Sequence, residues 1–420
     1  MLTFPNNHQP RYGNFSIKAI SDETIREGGE RALFGASNPD KVKLVEQITN
    51  SGIKDIDVGS GIKEPEFVKM LLSAQDEGKI PEDVTFSFNL TLKTCEPLMA
   101  ALEKTLSRDL LQRMYVSIGM IEIDSEHHLF ERTAERLRKM GVGELRSSLL
   151  NAFSSTIDEN KYEHLMSQIE RCRQQGISLI RINDSVGTLF PEATAVLAAN
   201  LVADNPGNTF YLHGHNDRGL GTANSLTSVF HGFQMIEGGV AGVGNRAGLA
   251  ELESIAAIFS DNNITVDSGE LNLEGIYDAA RMSEKVYLTT PNPYRPMSGF
   301  LVRNENAGIV NVPDYLGVSR DVDYFINEIG LFPTYLEQIL IENGVPADRV
   351  DDKLVNEVYE TLSQRMAQLY EDQSKKFEKL YSQIIDFYQP IYRMEDVGKI
   401  GMELSNRDTQ ESEREKQWMF

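Results

Sequence analysis

The chain has 420 residues, 40% of them hydrophobic and 25% charged, which suits a globular protein with one large domain and a smaller one. Its 63 acidic residues against 41 Lys and Arg give a formal net charge of -22, which excludes a nucleic-acid partner because phosphate binding needs clustered cations. Two cysteines, Cys95 and Cys172, exclude a disulfide framework and a cysteine-rich zinc site.

The opening stretch MLTFPNNHQPRYGN has no apolar signal core, and no run of 18 apolar residues follows, so a cytoplasmic protein without membrane contact is expected. From residue 15 to about 260, short apolar runs alternate with amphipathic helical patterns. Strands are predicted at Ser16–Ser21, Ile53–Val58, Thr85–Thr91, Met114–Ile118, Glu144–Ser148, Ser178–Asn183, Thr209–His213 and Met235–Val243. Helical signals fall between them. Asn38-Pro39-Asp40-Lys41, for example, suits an N-cap with Pro in the first turn, followed by Val42, Val45 and Ile48 at helical spacing. Eight strands separated by helices predict an α/β fold, a (β/α)8 TIM barrel over residues 1–285. A doubly wound open sheet is the rival, but no glycine-rich dinucleotide loop follows the first strand.

Thr289-Thr290-Pro291-Asn292-Pro293-Tyr294-Arg295-Pro296 then opens a linker or lid subdomain, residues 286–345. Residues 346–420 are expected to form a mainly helical C-terminal subdomain. In it Leu354, Val358, Leu362, Met366, Leu369, Phe377, Leu380, Tyr381 and Ile384 recur every three or four residues, a pattern of core or subunit contact. The last dozen residues are charged and expected to fray.

His213-Gly214-His215 ends the seventh predicted strand. Residues i and i+2 of a strand share a face, so both imidazoles converge on one point, and neutral imidazole is a common metal ligand. An isolated pair of this kind equally suits two satisfied polar histidines. Arg26 and Glu27 follow the first strand, and that carboxylate with two imidazoles would supply three ligands and leave positions open for substrate. For Arg26–Glu27 alone, a solvated charge pair is the competing reading. Asn183-Asp184-Ser185 ends the sixth strand, and Gly242-Val243-Gly244-Asn245-Arg246-Ala247-Gly248 ends the eighth, where its glycines suit either an anion site or a turn.

Together these motifs resemble the metal-dependent TIM-barrel family of homocitrate synthase and isopropylmalate synthase, which also includes hydroxymethylglutaryl-CoA lyase. The family's opening motif appears as Asp22-Glu23-Thr24-Ile25-Arg26-Glu27-Gly28-Gly29-Glu30, its histidine motif as His213 through Asn224, and its Asp-Thr-Val-Gly as Asp184-Ser185-Val186-Gly187. The resemblance implies that Glu27, His213 and His215 bind a divalent cation (Mg, Mn, Zn, Fe or Co). It further implies that Arg26, Arg146, Ser148 and Ser185 bind a 2-oxo acid, that Asp57 orients Arg26, and that the enzyme is a cytoplasmic homodimer. The implied reaction condenses an acyl-CoA, such as acetyl-CoA, with the 2-oxo acid. The family's acidic pair on strand five is replaced by Leu150 and Asn151, and its histidine after the linker by Val310. Glu305 is the nearest substitute for the missing base. These departures leave a carbon–carbon lyase or aldolase, or a non-catalytic 2-oxo-acid binder, as alternatives.

Overall fold

The computed structural model describes residues 15–121, 128–151, 153, 157–306, 322–327, 329 and 332–417. The chain divides into two compact units, Met1–Val302 and Arg303–Phe420. Val310 lies outside the described residues.

In the first unit, eight parallel strands share one sheet: β1 (Ala19–Asp22), β2 (Asp55–Gly59), β3 (Thr85–Thr91), β4 (Met114–Ile121), β5 (Glu144–Asn151), β6 (Leu179–Asp184), β7 (Thr209–Gly214) and β8 (Met235–Gly238). Their hydrogen-bonded order is β7-β6-β5-β4-β3-β2-β1-β8. The two end strands nearly close the ring. The Gln234 amide donates to the Phe210 carbonyl (3.1 Å), and the Phe210 amide donates to Gln234 Oε1 (2.8 Å). This is a (β/α)8 barrel, with helices between strands as the alternating pattern predicted.

Local differences from the predicted elements have physical causes. The first strand is split: Ser16–Ile17 pairs with Thr265–Val266, and only Ala19–Asp22 enters the barrel between β2 and β8. The last strand stops at Gly238, where an added Cβ would lie 2.5 Å from the Ala250 carbonyl, and Val240–Gly242 turns with Ala241 at φ 58. The helix Asn38–Asn50 is capped one residue earlier than expected, because the Ser37 side chain accepts from the Asp40 amide. Its buried face is Leu44, Val45 and Ile48.

Apolar residues on the outer strand faces, such as Phe210 and Leu212 of β7, pack into the core under the helices. The inward-facing positions are instead polar. Asp55, Asp57, Asn89, Arg146, Ser148, Arg181, His213 and Glu237 are all buried. The second unit pairs β9 (Asn304–Asn306) with β10 (Asp323–Phe325) and carries the helices Pro333–Glu342, Asp352–Phe387 and Met394–Gln417. Among the described residues, no helix is long and apolar enough to cross a membrane.

Candidate metal centre

Strand alternation in β7 turns Tyr211 and His213 inward, and the chain leaves the strand at Gly214 with His215 beside its predecessor. His213 Nε2 and His215 Nε2 are 3.3 Å apart, with the rings nearly perpendicular at 85°. Glu27 comes from the helix Thr24–Arg31 directly after β1, and its Oε1 lies 3.6 Å from His213 Nε2. One ligand atom from each of Glu27, His213 and His215 lies within 4.8 Å of the others, a possible metal-binding site in which all three residues are buried. The Asn245 amide, in the loop after β8, donates to Glu27 Oε2 at 2.8 Å and sets the carboxylate's orientation.

Three observations fit a divalent cation here. First, burial pushes both imidazoles below their usual range, His213 far below it with the help of Arg181 and Arg26, so the rings are neutral donors at neutral pH. Second, Glu237 Oε1 contacts His213 Nδ1. With Nε2 ligating, the proton of that contact sits on Nδ1, the carboxylate–histidine arrangement that metal sites use. Third, the buried carboxyls Glu23, Glu27, Asp55, Asp57 and Glu237 face only three buried guanidiniums in this region, Arg26, Arg146 and Arg181. Two carboxyls are left without a compensating cation among these residues, and uncompensated buried charge is costly. A second cluster, Glu23–His213–Glu237, suits a metal less well because Arg181 already engages both of its carboxylates.

The layer beneath is a network centred on Arg181. It donates to Ser148 Oγ (2.9 Å), Asn89 Oδ1 (3.0 Å) and Asp57 Oδ2 (3.2 Å), and it contacts Glu23 and Glu237. Burial works to raise Glu23, but Arg26 and Arg181 outweigh it and hold this carboxyl low. Burial, reinforced by Glu23, pushes the Asp57 and Glu237 carboxyls well above their ordinary values.

The structure brings Arg26 and Asp57 to the site's edge. Arg26 donates to Glu27 Oε1 (2.7 Å) and Glu30 Oε1 (2.9 Å), pairs with Glu23, and stands 3.9 Å from Asp57 Oδ2. Ser185 sits half-buried in the turn after β6, its carbonyl held by Arg246, which also grips Asp217. The glycines around Arg246 are turn residues: Gly242 has φ 56 and Gly248 φ 84. Arg146 is fully buried, donates twice to Asp55 at the start of β2 (3.0 and 2.8 Å) and stacks on Tyr115, while Ser148 donates to Asn183 (2.7 Å). Both are engaged within the barrel below the histidines rather than beside them. Glu305 lies on β9 in the second unit. Sequence reasoning missed Glu23, Asn89, Arg181 and Glu237; a charged residue between isoleucines, as in Ile180-Arg181-Ile182, was the available signal.

A family model described as HMGL-like matches residues 18–282. The homocitrate synthase of Sulfurisphaera tokodaii is 25% identical over 297 residues, 69% of this chain and 62% of that protein. The homocitrate synthase of Sulfolobus acidocaldarius is 24% identical over 296 residues, 69% of this chain and 61% of that protein. The chain thus spans less than two thirds of the length of these curated relatives. Among solved structures, an HMG-CoA lyase from Acinetobacter baumannii, in complex with coenzyme A and 3-methylmalate, superposes with a TM-score of 0.52 at 17% identity, covering 71% of this chain and 98% of that one. Hydroxymethylglutaryl-CoA lyase from Pseudomonas aeruginosa gives 0.52 at 19% identity, covering 68% and 98%. These likenesses show a shared barrel fold.

Proposed function

The chain belongs to the HMGL-like family, and from that premise we propose that it is a divalent-metal-dependent enzyme condensing an acyl-CoA with a 2-oxo acid to a 2-hydroxy-2-alkyl dicarboxylate. The observation that carries this reading is the convergence of Glu27, His213 and His215 with the Arg26 guanidinium on one side of the barrel mouth. These three residues would hold the cation, which when bound supplies Lewis-acid polarisation of the 2-oxo carbonyl. Arg26 would take the substrate carboxylate. Of its partners, Glu30 is the one whose side chain is substantially exposed, at 38%, so it is the one a substrate displaces. Asp57 positions Arg26 from below, and Ser185 offers a hydroxyl at the end of β6. In the reaction the acyl α-carbon loses a proton and bonds to the keto carbon, and water then cleaves the thioester to free CoA. Glu305 is the proposed acceptor of that proton. The relatives named homocitrate synthase support condensation.

Leu150 favours a second reading. It stands near the end of β5, paired in register with Ile121 of β4, where the family resemblance places an acidic residue. Cleavage of a carbon–carbon bond by a lyase or aldolase needs less base machinery on a thioester. A panel of 2-oxo acids with acyl-CoAs, followed by CoA release and mass spectrometry, separates the two. Condensation is supported by a product carrying both carbon skeletons. It is refuted if no acyl-CoA exchanges α-protons with deuterated solvent while a hydroxy acid is split to a 2-oxo acid.

A further inference from the structure

Arg26 and Glu27 stand on the helix Thr24–Arg31, which is only eight residues long and carries Gly28 and Gly29 side by side. A helix this short is marginal by itself, and adjacent interior glycines loosen it further. The aim of the Glu27 carboxylate therefore depends on what holds the helix from outside. Its first turn is fixed by Asp22, which accepts from the Thr24 amide (3.1 Å) and hydroxyl (2.6 Å), while the Val240 amide donates to that hydroxyl oxygen (2.9 Å). The next support is Tyr287, the residue that ends the helix Leu273–Val286. Its hydroxyl donates to the Ile25 carbonyl at 3.3 Å. Its ring fills the place a side chain at Gly28 would take, since a Cβ there would lie 2.4 Å from ring carbons. At about 100° per residue, Ile25 and Gly28 form the face of the helix opposite Arg26 and Glu27. Tyr287, itself buried, thus backs the helix directly behind the two site residues.

The segment that Tyr287 opens also reaches Glu27 from its other side. The Asn245 amide that orients Glu27 Oε2 belongs to the loop after β8. In that loop the Ala241 amide donates to Glu253 Oε2 (2.9 Å), and Glu253 Oε1 accepts from the Ser298 hydroxyl (2.8 Å). Arg295 of the same segment is buried against Glu284, so residues 287–298 are tied to the barrel unit along their length. We propose that Tyr287 is a positioning residue for the metal centre. It fixes the helix behind Glu27, and with Ser298 it makes the segment following the helix Leu273–Val286 a determinant of cation affinity. The proposal rests on Glu27, His213 and His215 being the ligands. It also accounts for Gly28, where a side chain displaces either the aromatic ring or the helix that carries Glu27.

The test titrates the full, chelator-stripped chain with Mn²⁺ at pH 7.5, with urea denaturation of each variant alongside. Tyr287→Phe keeps the ring and should bind within about threefold of the parent, the worth of one weak hydrogen bond. Tyr287→Leu should lose about tenfold, the lower end of the range for groups that orient metal ligands. Ser298→Ala should lose about threefold. Gly28→Ala should lose about tenfold or more through the clash, yet the Gly28→Ala/Tyr287→Leu pair should lose no more than Gly28→Ala alone, because both act on one contact. Co²⁺ in place of Mn²⁺ supplies a coordination signature. Its visible spectrum should change in Tyr287→Leu but not in Phe130→Leu, which removes a buried ring from the helix Leu129–Met140 and costs stability without touching the site. If Tyr287→Leu fails to fold, Gly28→Ala and Ser298→Ala carry the test. Affinity within about twofold of the parent in every folded variant, or an equal loss in Phe130→Leu, makes Tyr287 a packing residue only and overturns the proposal. A parent that binds no cation, or a folded His213→Ala/His215→Ala variant that still binds one, overturns the ligand assignment and the proposal with it.

Discussion

Replacing Glu237 tests the centre through a residue that is not itself one of its three ligands. Glu237 Oε1 holds His213 Nδ1, and its Oε2 lies 3.4 Å from Arg181. Glu237→Gln keeps an oxygen that can accept from Nδ1–H but removes the charge that makes the imidazole a stronger donor. Glu237→Leu removes both the acceptor and the charge, and lets the ring turn. Outer partners of metal-bound histidines are worth about 10- to 100-fold in affinity, so we assign about tenfold to Gln and about 100-fold to Leu, roughly 1.4 and 2.7 kcal/mol. Isothermal titration of chelator-stripped protein with Mn²⁺ or Zn²⁺ at pH 7.5 measures both. The expected order is wild type, then Gln, then Leu, with binding stoichiometry preserved. If both variants bind within twofold of wild type, Glu237 does not orient His213 for a cation, and the reasoning from the buried histidine–carboxylate contact fails.

Arg26→Lys should cost about 2–4 kcal/mol in kcat/KM, because an ammonium cannot reproduce the planar fork that contacts three carboxylates; near-parental turnover in Arg26→Ala would make Arg26 a structural charge only. Arg181→Met leaves Glu23, Asp57 and Glu237 without their shared cation, and urea denaturation should show a loss of about 3–5 kcal/mol, whereas a loss below about 1 kcal/mol contradicts the network. Burial pushes the Glu253 carboxyl up to about 7 from an ordinary 4.5, so the folded chain keeps a proton that the unfolded chain releases. Stability contributed below pH 4.5 should therefore decline as pH rises to about 7, by about 3 kcal/mol, and Glu253→Gln should flatten that slope in pH-dependent denaturation.

Much of this architecture was legible because the governing patterns are local. The βα alternation gave the barrel, and the two-residue period of a strand brought His213 and His215 together. Depth along the barrel axis was not legible. Arg146 and Ser148 share an inward face two residues apart, roughly 6.6 Å along the strand, but nothing in their spacing reveals that Asp55 awaits the first and Arg181 the second. Arg181, Glu23 and Glu237 escaped for a related reason: each is a single charge in an otherwise apolar or motif-bearing stretch, and its meaning comes from partners 56 and 158 residues away. The strand-eight boundary was missed because the close approach of Gly238 to Ala250 is a tertiary contact.

Metal content of the full chain tests the assignment of Glu27, His213 and His215 most directly. After incubation with a divalent cation and removal of excess, elemental analysis should find about one equivalent per chain in the parent protein and none in the His213→Ala/His215→Ala variant, with circular dichroism showing both folded. A full equivalent retained by the folded double variant would contradict it.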